Sequence, residues 1–273
     1  MKFRLIHKKL GVKSIGTFSE FECSNIRDIC FINGKFLCLN DNSLLEINDS
    51  GCTEVLSIDN PMSICPSFNN QAYIVYNGGI KSVNTLNYYA TDAMGLKECK
   101  PIFHSLSKIG LRDIYIHTYK NITGFAVSPI HKVYRMKKIV IDKEIGSGIP
   151  EYSVSNNLNH SSLSNPQGIV IYDENTIIVS DTGNGCIRSF GKSHSIIAGK
   201  PKDSSIAPRK LLLDRKKDIL YYLSKNYLKS VLIDGSKDIV LYESETIKSI
   251  VLKDDGKVYI LEVIEGELWE EKH

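Results

Sequence analysis

The chain has 273 residues, of which 24% are charged and 42% hydrophobic, with a formal net charge of +3. This length suits an all-β barrel or propeller built as one domain over residues 1–273. So small a charge excess excludes a global basic field aimed at nucleic acid or a membrane surface. Charges interrupt the apolar residues of Met1–Leu10, unlike the core of a secretory signal, and no apolar stretch has the length that spans a bilayer. The expectation is an intracellular, cytoplasmic protein with no membrane partner. Seven cysteines at 23, 30, 38, 52, 65, 99 and 186 include no CxxC pair. They read as small buried hydrophobes in a reducing compartment.

A degenerate repeat of about 40 residues organises the rest. Ahead of it, Lys13–Phe18 and Phe3–His7 read as strands. The first unit opens with Ile26-Arg-Asp-Ile-Cys-Phe31, turns at Asn33-Gly34 and continues through Lys35–Leu39 and Ser43–Ile47. The second opens with Pro61-Met-Ser-Ile-Cys-Pro66, turns at Asn69-Asn70 and continues through Gln71–Val75 and Ile80–Val83. Leu111-Arg-Asp-Ile-Tyr-Ile116 opens the third, followed by Ile122–Val127 and His131–Arg135. The fourth runs from Pro166-Gln-Gly-Ile-Val-Ile171 through Thr176–Val179 to Cys186–Phe190. The fifth holds Pro208-Arg-Lys-Leu-Leu-Leu213, Asp218–Leu223 and Tyr227–Leu232. The sixth holds Ile247-Lys-Ser-Ile-Val-Leu252, Lys257–Leu261 and Glu267–Trp269. The turn residues are hairpin chemistry, so each unit reads as an antiparallel meander.

The first two strands of a unit are apolar on both faces, so one unit cannot stand alone and must stack against neighbours. Radial closure satisfies that need. The expected fold is a six-bladed β-propeller with blades starting near 26, 61, 111, 166, 208 and 247. The last unit lacks an outer strand, so residues 1–20 are expected to complete it, chiefly through Lys13–Phe18.

The fourth unit carries a family resemblance. Asn165-Pro-Gln-Gly-Ile-Val-Ile171, the turn Asp181-Thr-Gly-Asn184 and the closing Ile196-Ile-Ala-Gly199 resemble an NHL repeat, although Cys186 stands where a basic residue usually follows the turn. The resemblance implies the six-bladed architecture. Similar propellers include calcium-dependent lactonases and esterases, whose channel holds the metal. Here the candidate oxygen ligands are Asp28, Asp113 and Asn165, too few for the six to eight that calcium takes, so no metal and no cofactor are expected.

Intervals between unit starts of 35, 50, 55, 42 and 39 residues place insertions near 84–110 and 142–164. Both precede an inner strand, so both decorate one face, where inserted loops on a rigid scaffold carry binding. The second position of the six starts holds Arg27, Met62, Arg112, Gln167, Arg209 and Lys248. In that register Arg27, Arg112, Gln167, Arg209 and Lys248 gather at one mouth of the channel, as a site for a partner or an anion. Asp28 and Asp113 directly follow two of the arginines and offer the opposing role of neutralising them across blades.

The histidines share no register, and neither a nucleophile elbow nor a phosphate-binding loop is present. The expected function is therefore a non-catalytic scaffold that presents its loop-bearing face to a protein partner, within a larger assembly such as a virion or cellular machine. The alternatives are nucleic-acid or anion binding at the basic mouth, and a calcium-dependent hydrolase of the lactonase type.

Overall fold

The computed structural model describes residues 2–8, 16–23, 25–48, 51–67, 69–76, 79–92, 114–137 and 140–264. Apart from three-residue 3-10 turns, the described regular structure is β-strand.

Five four-stranded antiparallel sheets are each folded from one continuous stretch of chain. The first has β3 (Asp28–Ile32), β4 (Lys35–Leu39), β5 (Ser43–Asn48) and β6 (Gly51–Ser57). The second has β7 (Ser63–Pro66), β8 (Gln71–Tyr76), β9 (Gly79–Asn84) and β10 (Ala90–Asp92). The third has β11 (Ile114–Tyr119), β12 (Ile122–Val127), β13 (Lys132–Lys137) and β14 (Val140–Ile145). The fourth has β15 (Pro166–Ile171), β16 (Ile177–Asp181), β17 (Cys186–Phe190) and β18 (His194–Gly199). The fifth has β19 (Pro208–Asp214), β20 (Ile219–Ser224), β21 (Tyr227–Leu232) and β22 (Ile239–Glu243). Tight turns link the strands where the hairpin residues predict them. Asn33 and Gly34 take φ of 53° and 79°, the doubly left-handed turn that matches the twist of a hairpin.

The unit expected from Ile247 is not a blade of its own. It supplies only β23 (Ile247–Leu252) and β24 (Val258–Ile264), and its expected third strand, Glu267–Trp269, lies outside the described residues. The sheet is completed by two N-terminal strands, β1 (Lys2–Lys8) and β2 (Gly16–Glu22), in the order β2-β1-β24-β23. Phe3 pairs with Val263 on one side and Phe21 on the other. Thus Phe3–His7, read as a further strand, falls within β1 beside β24, and the outer strand β2 overlaps the expected Lys13–Phe18 from Gly16 onwards, because β24 presents a free edge directly after a two-stranded hairpin.

Packing follows from the two apolar faces of each sheet. Along β3, Ile29 and Phe31 pack with Val251, Tyr259 and Leu261 of the composite sheet. Cys30 and Ile32 face the other way, onto Ile64, Ile74 and Val83 of the second sheet. The same division recurs round the ring. Val75 meets Phe125, Ala126 meets Ile169, Val170 meets Leu220, and Leu223 meets Ile260. Inner strands β3, β7, β11, β15, β19 and β23 contact one another in succession, and β23 contacts β3. Cys30, Cys38, Cys65 and Cys186 are buried free thiols among these packed faces, as the sequence suggests, while Cys99 lies outside the described residues.

Deleting residues 1–22 is expected to bare the edge of β24 and part the ring. Calorimetry should show a melting temperature lower by about 10 °C or more, the equivalent of several kcal/mol for a domain of this size. A truncated chain that melts with the full-length one would show that the composite sheet does not close the ring.

Candidate functional site

Of the five residues expected to form a basic mouth, Arg27 and Arg209 are engaged by neighbouring protein groups. Arg27 is only 9% exposed and is consumed by its own neighbours. It donates to Asp41 Oδ1 at 2.6 and 3.0 Å, to Asn60 Oδ1 at 2.6 Å and to the Pro61 carbonyl at 2.7 Å. It therefore fastens the first sheet to the lead-in of the second. Arg209 donates to the carbonyls of Lys225 and Ile247, fastening the fifth sheet to the composite one. Burial lowers its pKa from the usual guanidinium value. Gln167 is half-buried, Lys248 is exposed, and Arg112 lies outside the described residues.

The residues that converge occupy the next position. Asp28, 6% exposed, accepts from its own sheet at Ile29 N (2.9 Å) and from the second sheet at Ser63 Oγ and Ile64 N (both 3.0 Å). From the fifth sheet comes Lys210 Nζ at 2.5 Å, and from the composite sheet Ser249 Oγ at 3.4 Å. One carboxylate thus joins four sheets at the axis. The signal was present in the sequence: the third place of the aligned starts reads Asp28, Ser63, Asp113, Gly168, Lys210 and Ser249, polar or small in every unit and directly before an invariably apolar fourth place. It was hidden by register. In β19 the ladder shifts between Arg209 and Leu211, making Lys210 the extra residue of a bulge, which re-aims its side chain. In β15 and β23 the shifts fall across Gln167 and Lys248 instead. A gapless alignment therefore places these side chains one step out.

This cluster does not fit a calcium ion. The Asp28 oxygens are shared among five protein donors, one an ammonium, and the backbone N–H of Asn165 is held by His131 Nδ1 at 3.0 Å. Asp113 lies outside the described residues, among which no group of three or more His, Cys, Asp or Glu side chains is gathered for a metal.

A second polar assembly anchors the insertion before β15. Arg188, fully buried, stands in the otherwise small and apolar stretch Cys186–Phe190. It donates to Asp181 Oδ2 at 2.8 Å, to His194 Nε2 at 3.0 Å, and to the carbonyls of Ser162 and Ser153 at 2.6 and 2.7 Å. Its guanidinium lies 4.6 Å from the Tyr152 ring centre and 4.8 Å from that of Phe190. Asp181 in turn accepts from Ser164 N at 2.7 Å and Asn184 Nδ2 at 2.9 Å, and Asn184 Nδ2 reaches the Glu151 carbonyl at 2.9 Å. Four backbone groups of the loop, at Glu151, Ser153, Ser162 and Ser164, and its ring at Tyr152 are therefore anchored on one blade. Two large apolar side chains of the same loop face solvent, Ile149 at 57% and Val154 at 50% exposure. Of the first insertion, residues 93–110 lie outside the described ones.

Replacing Asp28 by Asn is expected to destabilise the fold by about 3 kcal/mol, because the Lys210 ammonium loses its partner in a largely buried setting. Lys210 keeps 20% exposure, which holds the loss at the lower end of such cases. Chemical denaturation of the single variant and of Asp28→Asn/Lys210→Met should show the double variant recovering most of the loss.

Acid should also weaken the fold. Burial first, then the charges of Arg215 and Lys210, push His117 down to about 3; burial and then Arg188 lower His194. Unfolded histidine takes its proton near pH 6.5. Between that pH and the lowered folded values the unfolded chain binds more protons, so stability is lost as pH falls from about 6.5 towards 3 and is indifferent to these groups above 7. Denaturant titrations at pH 7.5, 5.5 and 4.5 should show this decline, and His117→Gln should flatten it.

No protein-family model matches the chain. No curated protein sequence matches it either. Solved structures do. A gluconolactonase of Xanthomonas campestris is similar over 89% of this chain and 87% of its own, at 13% identity and a TM-score of 0.63. A streptogramin B lyase is similar over 97% and 99% of the two chains, at 12% identity and a TM-score of 0.57. A chain of a nidogen/laminin complex is similar over 96% and 98%, at 10% identity and a TM-score of 0.57. At these identities the likeness is one of fold, and with the sheets and packing described above it makes this chain a β-propeller.

Proposed function

We propose that the chain is a non-catalytic binding module that engages a protein partner through the face carrying the insertion at 146–164. The observation that carries this reading is the pairing of rigidity with exposed apolar surface. Arg188 and Asp181 hold the loop in one conformation, so little ordering entropy is lost on docking, and Ile149 and Val154 stand in water without cover. Exposed apolar side chains on an ordered loop are the usual mark of a contact surface.

The axial mouth supports the same reading from the other side. Asp28 and Lys210 neutralise one another, Arg27 directs all three of its guanidinium nitrogens to Asp41, Asn60 and the Pro61 carbonyl, and Arg209 turns Nη2 to the carbonyls of Lys225 and Ile247, which favours contacts within the protein over an anion. In this reading the five self-contained blades and the composite sheet act as one six-bladed disc. The NHL-like blade from Asn165 to Gly199 supplies the anchor, and the disc serves as a component of a larger intracellular assembly.

The test is quantitative capture from extract of the native source with three immobilised proteins: the unmodified chain, Ile149→Asp/Val154→Asp, and a control altered on an outer strand, Val240→Asp. All three should melt alike, since each altered side chain is at least half exposed. The partner retained by the unmodified chain and the control should fall about tenfold or more on the double variant, as expected when a central apolar contact is lost. Equal retention by all three would overturn the proposal.

A further inference from the structure

Beside the Asp28–Lys210 pair the inner strands line a partly open axial cavity of about 230 Å³. This is far more than the gaps of a close-packed interior, and at about 30 Å³ per water it has room for seven or eight waters. Most of the wall is apolar, from Ile29, Phe31, Ile64, Ile116, Leu211 and Val251. Into this wall is set the imidazole of His117 on β11.

The protonation state of that ring follows from one hydrogen bond. The backbone N–H of Ile171 donates to His117 Nδ1 at 3.2 Å, so Nδ1 carries no proton and the neutral ring carries it on Nε2. Burial and the nearby Arg215 and Lys210 keep the ring neutral. Among the described residues Nε2–H has no acceptor. A fixed donor in a partly open, largely apolar cavity is met by water when nothing else is bound, and a ligand oxygen can take that water's place while its apolar body displaces the rest. An anion does not suit it: among the described residues the one cation in the cavity wall, Lys210, is already neutralised by Asp28, and an unpaired charge is costly to bury.

We infer that the axial cavity is a binding site for one small uncharged organic molecule, with an apolar body and a carbonyl oxygen that accepts from His117 Nε2–H. The site is independent of the insertion face. The molecule lies against Leu211 and Ile116, and His117 orients it through a single hydrogen bond.

Cyclohexanone is the probe, titrated into the full chain by calorimetry and by ligand-observed NMR. Methylenecyclohexane, which has the same shape without the oxygen, and cyclohexanecarboxylate are the comparison compounds. Saturable one-to-one binding of the ketone is expected, weakened about tenfold in His117→Leu, the loss typical of one hydrogen bond. His117→Gln keeps an acceptor for Ile171 N and a donor for the cavity and should restore binding. Leu211→Phe narrows the cavity while leaving His117 in place and should weaken ketone binding, which keeps the test decisive should His117→Leu fail to fold. Methylenecyclohexane and the carboxylate should bind at least about tenfold more weakly than the ketone. Absence of saturable ketone binding, ketone binding unchanged in Leu211→Phe, or the carboxylate binding best would each overturn the inference.

Discussion

Among the described residues the inner strands of each sheet are apolar on both faces, and this constraint governs the structure. A sheet that must be covered twice cannot end a stack, so the stack has to bend round and meet itself. Successive residues of one strand are accordingly divided between two neighbours: Ile29 and Phe31 to one, Cys30 and Ile32 to the other. Burial of this kind contributes about 25 cal/mol for each Å² of apolar surface removed from water. It is non-directional, however, and would tolerate many arrangements of similar sheets.

Direction comes from polar groups placed where sheets meet. At the axis the Asp28 carboxylate gathers donors from four sheets, two of them joined through Lys210 and Ser249, which stand 182 and 221 residues further along the chain. Arg27 and Arg209 bind carbonyls across neighbouring interfaces. Such contacts add little net stability, since their groups give up water to make them, but each is costly to break once buried. They fix the register between sheets that hydrophobic packing leaves open.

The same logic explains why the insertion before β15 is ordered while rich in Ser, Asn and Gly. It has little apolar core of its own, chiefly the buried Leu163. Its backbone carbonyls are instead bound by Arg188, whose charge is offset by Asp181 and whose two sides lie near the rings of Tyr152 and Phe190. A loop fixed through its backbone leaves its apolar side chains free to face outwards, and that arrangement is suited to recognition. The axial cavity, bounded by strands rather than loops, is suited to a small molecule.

The sequence by itself determined the strands, the hairpin turns and the double-sided apolar pattern that forces a propeller, because all of these depend on contacts within a few residues. It also marked the polar third position, with Asp28, Ser63, Lys210 and Ser249, and the lone Arg188 among apolar neighbours. Only the tertiary structure decided which of these meet. A one-residue bulge aims Lys210 instead of Arg209 towards Asp28, and composition does not reveal a bulge, because it is set by hydrogen bonding to the next strand. The closing sheet likewise depends on tertiary structure: β1 and β24 stand at opposite ends of the described chain, and their pairing is made only when the stacked sheets bring those ends together.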